Sequence, residues 1–306
     1  MKPARTEQRN PRSRGLDRKT GLQIVQALNQ EDARVAPAVR KVLPQIARAV
    51  DAIAKSLREG GTLFYVGAGT SGRLAVLDAA ECPPTFGTPA RTVRAIIAGG
   101  ERALRHAVEG AEDSVAKGAS DLRRAGLTQG DVVVGVAASG RTPYVLGALE
   151  FARRRGAVTV GVTSNPRSLV ARAARISIAP DTGPEAISGS TRLKAGTAQK
   201  MVLNMLSTAA MVRLGRVYDN WMVHVALTNQ KLRRRGARML EEAADVSSSA
   251  AEHALRQANH NLPAALLMLK TGASLGDARR SLAASGGDVR QALAAVRSHL
   301  NPKGRK

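Results

Sequence analysis

The chain carries two hydroxyl-bearing turns and, between them in the sequence, two candidate carboxylates, the combination needed to hold a phosphate and move protons next to it. In residues 62–89, TLFYVGAGTSGRLAVLDAAECPPTFGTP, a β-branched run leads into Gly67, Gly69 and Gly72 interleaved with Thr70 and Ser71. The glycines let the backbone turn tightly and approach an anion, and the hydroxyls fall at the start of the next helix, whose dipole favours negative charge. Glu81 follows, just before Pro83 and Pro84. Because prolines stop a helix and push the preceding residue to extended geometry, the sequence predicts Glu81 on a rigid turn leaving a short helix.

Residues 138–143, ASGRTP, repeat this logic: Ser139 and Thr142 are hydroxyl donors, Gly140 permits close approach, and Arg141 is a counter-ion. One such elbow is explained by an ordinary helix cap. Two at one sheet edge point to a shared ligand, a phosphorylated polyol. The segment 101–118, ERALRHAVEGAEDSVAKG, places Leu104, Val108, Ala111 and Val115 on one helical face, with Glu112 at the stripe edge, Glu109 between and Asp113 toward solvent. A carboxylate at that edge reaches a cleft partly out of water, which suits acid/base work. The plainer reading is a boundary glutamate paired with arginine.

Other chemistries fit less well. Gly67, Gly69 and Gly72 satisfy the dinucleotide fingerprint, with Glu101 after IIAGG near the ribose position, but that fold requires neither Thr70-Ser71 nor the second elbow. Cys82 beside Glu81 reads as a small buried filler, not a nucleophile, and His106, His224, His253, His260 and His299 show no ligand spacing, so neither metal nor cofactor is expected.

The elements that carry these residues are legible. At 306 residues, 43% hydrophobic and 23% charged, the chain is long and apolar enough for a large core, and no charge-free apolar run reaches membrane-spanning length. With one cysteine and no signal-like apolar segment at the N-terminus, the expected compartment is the cytoplasm. The net charge of +23 invites a nucleic-acid reading. Aromatics are only 2%, too few for base stacking, so the charge reads as an arginine-rich surface that attracts anions, without a specific nucleic-acid partner.

Residues 1–20 read as an extended polar, basic arm, and 21–58 as two helical patterns broken near Pro37 and Pro44. Strand-like runs recur at 62–66, 93–97, 132–137, 158–162 and 175–179, separated by helical spacing, which predicts a parallel five-stranded sheet covered on both faces. Ligands then bind beyond the carboxyl ends, which carry GAGTSG, GGE, ASGRT and TSN. A long packing helix is expected over 195–214, a basic helix and connector over 231–258, and three short helices over 262–300, the last capped by Asp288. The resulting division is N-terminal arm and helices 1–51, sheet domain 52–230 and C-terminal helices 231–306.

Taken together, TEQRNP (6–11), the 67–89 string, IAGGE (97–101), AVEGAEDS (107–114), SGRTPYV (139–145), GPEAISGSTRLKAGTAQKMVLNMLST (183–208) and TNQKL (228–232) make the chain resemble the N-acetylmuramic acid 6-phosphate etherase family. The resemblance covers most of the chain up to about residue 240 and implies a sugar isomerase (SIS) fold, an α/β domain that binds phosphosugars. It implies removal of the lactyl ether from N-acetylmuramate 6-phosphate with water, giving N-acetylglucosamine 6-phosphate and D-lactate. It also implies a homodimer and a small C-terminal ubiquitin-associated-like bundle after about 250. By similarity the catalytic carboxylates fall on Glu81 and Glu112, the phosphate loop on Ser139, Gly140 and Thr142 with Thr70 and Ser71 adjoining, and Glu185 lies on a loop that approaches the sugar. Asp219, Trp221 and His224 depart from the family pattern, outside the catalytic strings. A sugar-phosphate sensor built on the same fold is the alternative; it would keep the hydroxyl loops but need neither carboxylate.

Overall fold

The computed structural model describes residues 4–300, which divide into two compact units: the chain up to Ala80 with Ala90–Ala210, and Glu81–Pro89 with the described residues from Met211 onward. In the first unit, five strands, β1 (Leu63–Gly67), β2 (Val93–Ile97), β3 (Val132–Val136), β4 (Val158–Val162) and β5 (Ile176–Ile178), form one parallel sheet ordered β2-β1-β3-β4-β5. Every residue of β1 and β3 is buried, as expected of central strands covered on both faces. Gly67 at the end of β1 is level with Val136 at the end of β3. The chain leaves β1 to one side for β2 and later returns on the other as β3, so a crevice opens between these two strand ends.

Before the sheet lie α1 (Gly21–Asp32), α2 (Val35–Arg40) and α3 (Leu43–Arg58); Pro44 sits in the first turn of α3, where its missing N–H costs nothing, while Pro37 lies within α2. There are thus three helices where the sequence predicts two. Residues 4–20 are not an extended arm but three short 3-10 turns with Thr6 and Asn10 buried. They are held by Gly189 N–H to Thr6 O (3.2 Å), Asn10 Nδ2 to Pro184 O (3.2 Å) and Ser13 Oγ to Ala186 O (2.7 Å).

The connections are α4 (Gly69–Phe86), α5 (Arg102–Arg105), α6 (Val115–Arg124), α7 (Pro143–Arg154), α8 (Leu169–Ala173) and α9 (Lys194–Arg213). Phe64, Val66, Val133 and Ala137 pack with Leu122, Tyr144, Val145 and Leu149 in one core, and α3 lies against β1, β3 and β5. α6 and α7 cross closely: a methyl group on Gly118 would lie 1.9 Å from Tyr144 O, so only glycine fits.

The second unit carries α10 (Gln230–Ala244), α11 (Ser248–Gln257), α12 (Leu262–Thr271), α13 (Leu275–Ala284) and α14 (Val289–Leu300). Its core joins Leu240, Leu255, Leu262, Leu266, Leu282 and Val296, and α12, α13 and α14 pack on one another as a three-helix bundle. Gly272 ends α12 at φ +70°, and Asp288 Oδ1 accepts from Gln291 N–H (3.0 Å), the cap that the sequence predicts. His224 is a packing residue: its Nε2 meets Gly287 O at 2.9 Å and burial lowers its pKa. Asp219 turns at φ +54° between Tyr218 and Trp221, whose backbones bond to each other at 2.8 and 3.2 Å. The side chain of His299 lies outside the described part of the chain. Among the described residues no helix is long and apolar enough to cross a membrane.

Candidate functional site

The turn after β1 is built to receive an anion. Gly69 takes φ +52° to open α4, and the described residues give no acceptor to the N–H groups of Gly69, Thr70 and Ser71. Three open donors at a helix start, with its dipole behind them, favour negative charge. Thr70 is half-buried; Ser71 is buried, with Oγ donating to Gln199 Oε1 at 2.9 Å. A methyl group on Gly196, in the first turn of α9, would lie 3.7 Å from the Thr70 methyl, so α9 backs this turn closely.

Beside it, the turn after β3 is locked from below. Asn165 Nδ2 donates to Ala138 O and Ser139 O, both at 3.1 Å, while its Oδ1 accepts from Arg5 N–H at 3.0 Å. Ser139 Oγ accepts from Arg141 N–H (3.3 Å), and Thr142 is the N-cap of α7 with its hydroxyl not used in capping. The N–H groups of Ser139 and Thr142 have no acceptor among the described residues.

Gly140 sits at φ +66°, and a methyl group there would lie 2.1 Å from Ser168 Oγ and 2.6 Å from Thr163 Oγ1. Gly140→Ala therefore combines a strained backbone with overpacking and is expected to destabilise by about 2–5 kcal/mol, read as a lowered midpoint in urea at unchanged slope.

The carboxylates lie elsewhere than the sequence predicts. Glu112 is not on a helix over 101–118. α5 ends at Arg105, Gly110 turns at φ +67°, and Ser114 Oγ caps a new helix at Lys117 N–H (3.2 Å), so Glu112 is exposed on the intervening turn. Leu104 and Val115, expected on its buried stripe, are 37% and 49% exposed. Glu112 is nonetheless tied to the second hydroxyl turn, because its carbonyl accepts from Tyr144 N–H at 3.0 Å in the first turn of α7.

Glu81 is not on a loop either. α4 continues through Pro83 and Pro84 to Phe86, so Glu81 is exposed on a helix that carries Thr70 and Ser71 in its first turn. The prolines withhold their N–H groups from the carbonyls four residues back, Ala79 and Ala80, which weakens the ladder beside Glu81 without ending it. Cys82 is buried.

Glu185 is buried, and its two oxygens accept from Lys194 N–H (3.0 Å) and Ala195 N–H (2.9 Å), capping α9. Burial raises its pKa, and those two bonds oppose the shift. Next to it lies a group that sequence reading missed. Glu31 and Lys194, both buried, form an ion pair, and Glu31 also accepts from Asn10 Nδ2 (2.8 Å) and Arg12 Nε (2.5 Å). No local pattern marks these residues; Glu31 lies on an otherwise exposed helix end and finds its partner 163 residues away.

In the second unit, Lys231, Arg234, Arg235 and Arg238 on α10 line a cavity of about 350 Å³. Among the described residues no three His, Cys, Asp or Glu side chains gather as a metal site.

A 2-1-3-4-5 parallel sheet with hydroxyl turns at the ends of β1 and β3 defines a doubly wound α/β protein, and the family models identify it as the SIS type. The family model for the SIS domain matches residues 114–209, and that for the glucokinase regulatory protein N-terminal SIS domain matches residues 45–153. Among solved structures, a phosphoheptose isomerase from Francisella tularensis shares the fold at 18% identity, with a TM-score of 0.51 over 63% of this chain and 98% of that one. A putative phosphosugar isomerase from Bacteroides fragilis does so at 20% identity, with a TM-score of 0.50 over 66% and 95%.

Curated relatives are more specific. N-acetylmuramic acid 6-phosphate etherase of Yersinia pestis (strain Pestoides F) is 54% identical over 94% of this chain and 98% of its own length. The protein of that name from Actinobacillus pleuropneumoniae is 51% identical over 94% and 95%. The chain belongs to the N-acetylmuramic acid 6-phosphate etherase family.

Proposed function

We propose that this chain cleaves the D-lactyl ether of N-acetylmuramate 6-phosphate by elimination and water addition, giving N-acetylglucosamine 6-phosphate and D-lactate. The observation that carries the reading is the pair of hydroxyl turns with open N–H donors at the ends of β1 and β3, in a chain of this family. Thr70, Ser71, Ser139, Gly140 and Thr142 hold the phosphate, and Glu185 serves the site by fixing the start of α9. The working form is a cytoplasmic homodimer that needs no metal or cofactor.

Opening the sugar ring frees the C1 aldehyde, which acidifies the hydrogen on C2. A carboxylate takes that proton to leave an enolate, and a carboxylic acid then protonates the C3 ether oxygen as the C3–O bond breaks and lactate leaves an unsaturated aldehyde. Water then adds at C3 as C2 is reprotonated, restoring both groups. Glu81 gives the proton to the departing lactate and later activates water, and Glu112 works at C2.

Incubation of purified protein with N-acetylmuramate 6-phosphate in heavy-oxygen water is expected to release lactate and leave the label on C3 of the sugar product, read by mass spectrometry. Label in the lactate instead would mean cleavage on the other side of the ether oxygen and would remove the mechanism. Absence of lactate would favour the sensor.

A further inference from the structure

We propose that Gln199 is a positioning residue for Ser71, switching from acceptor to donor when an anion accepts the Ser71 O–H hydrogen bond; this rests on the reading that Ser71 helps to hold the phosphate. Ser71 is 7% exposed and Gln199 2%, and they are joined by a single hydrogen bond, Ser71 Oγ to Gln199 Oε1 at 2.9 Å. The other end of the amide is unusual. Gln199 Nε2, a donor of two hydrogens, is buried with no partner among the described residues, at the back of a turn whose own N–H groups are open.

A phosphate dianion only accepts hydrogen bonds. To serve one, Ser71 must turn its proton away from Gln199, which sets the lone pairs of Oγ against those of Oε1. A half-turn of the amide about its last torsion, which has two broad and nearly equivalent wells, replaces Oε1 by Nε2. The orphaned donor then bonds to Ser71 Oγ, and the hydroxyl points its proton at the anion.

α9 holds Gln199 in reach for this exchange. Its start is pinned by the Glu185 cap and by the Lys194–Glu31 pair. Gln199 thus does not touch substrate; it decides which way Ser71 points.

The test is a steady-state comparison of Gln199→Met, Gln199→Glu, Ser71→Ala and the Ser71→Ala/Gln199→Met double variant on N-acetylmuramate 6-phosphate, with melting temperatures recorded. Methionine fills the space but neither accepts nor donates, so KM should rise about tenfold with kcat within about threefold. Glutamate only accepts and holds the Ser71 proton, so KM should rise further, to about a hundredfold. In the Ser71→Ala background, Gln199→Met should add nothing, because its route is gone.

Should Gln199→Met fail to fold, Gln199→Asn, which keeps the amide but falls one methylene short, carries the same expectation of a KM effect that vanishes with Ser71→Ala. A raised KM in Ser71→Ala beside a wild-type KM in the Gln199 variants overturns the proposal and leaves Ser71 as a ligand. Wild-type KM in Ser71→Ala removes the reading on which it rests. Effects that multiply in the double variant also overturn it, since they would show Gln199 acting apart from Ser71.

Discussion

Glu81→Gln is expected to lower lactate release by about 10³-fold or more while leaving the fold intact. A positioned general acid or base is worth about 10²–10⁴ in rate, and in the proposed mechanism Glu81 serves in two steps, protonating lactate and then activating water, which places it toward the upper end. The substitution is isosteric and the residue is exposed, so stability should stay within about 0.5 kcal/mol of wild type. Glu112→Gln should also be slow, and the two separate in deuterium oxide. With Glu81 absent, exchange of the C2 hydrogen should persist, since in the proposed mechanism C2 loses its proton to Glu112; with Glu112 absent, exchange and lactate release should fall together. Full turnover in Glu81→Gln would exclude it from the mechanism, and exchange that persists in Glu112→Gln would move the base to another residue.

Both carboxylates lie where tertiary packing overrides the local pattern. The five strands are legible because a strand buried on both faces needs a contiguous apolar run, and the β2 and β4 runs match their observed bounds, Val93–Ile97 and Val158–Val162. Turn chemistry at their carboxyl ends is legible because each turn is placed by its strand: Thr70-Ser71 and Ser139-Gly140 begin three residues after the strand ends at Gly67 and Val136. At Glu81 the proline pair reads as a stop, but two lost N–H bonds do not end a helix whose Ala75, Ala79, Cys82 and Phe86 are all buried on one side. At Glu112 the spacing of Leu104, Val108, Ala111 and Val115 fits a helix, and the Gly110 turn and Ser114 cap override it. The N-terminal turns are opaque because Thr6 and Asn10 are polar residues buried by distant partners: Asn10 Nδ2 bonds to Pro184 O, 174 residues on, and Arg5 N–H to Asn165, 160 residues on.

The same kind of distant partnership makes Glu31→Gln the substitution expected to cost most in stability. The Lys194 side chain is 1% exposed and that of Glu31 4%, so the substitution strands an ammonium group out of water. Removing one member of a buried pair costs about 3–5 kcal/mol, which for a unit of this size lowers Tm by roughly 10 °C. Lys194→Met should cost less, because Glu31 keeps Arg12 at 2.5 Å, Asn10 at 2.8 Å and Arg34 at 3.6 Å, and adding it to Glu31→Gln should restore part of the loss.

Acid gives a second readout. Burial pushes the Glu31 carboxyl up, but the hydrogen bonds from Arg12, Lys194 and Asn10 outweigh it and hold the pKa at about 2, against an ordinary 4.5. A folded-state pKa below the unfolded one means stability that is fully present above about pH 4.5 and is lost as the pH falls toward about 2, worth about 3 kcal/mol. Wild type should therefore show that loss in urea midpoints taken across this window, and Glu31→Gln should lack that part of it. Equal acid limbs in the two proteins, or a Glu31→Gln variant within about 1 kcal/mol of wild type at neutral pH, would mean that Lys194 finds water or another anion. In the expected case the loosened α9 start also reaches the site, because Gly196 and Gln199 on that helix back Thr70 and Ser71, and KM should rise with the fall in stability.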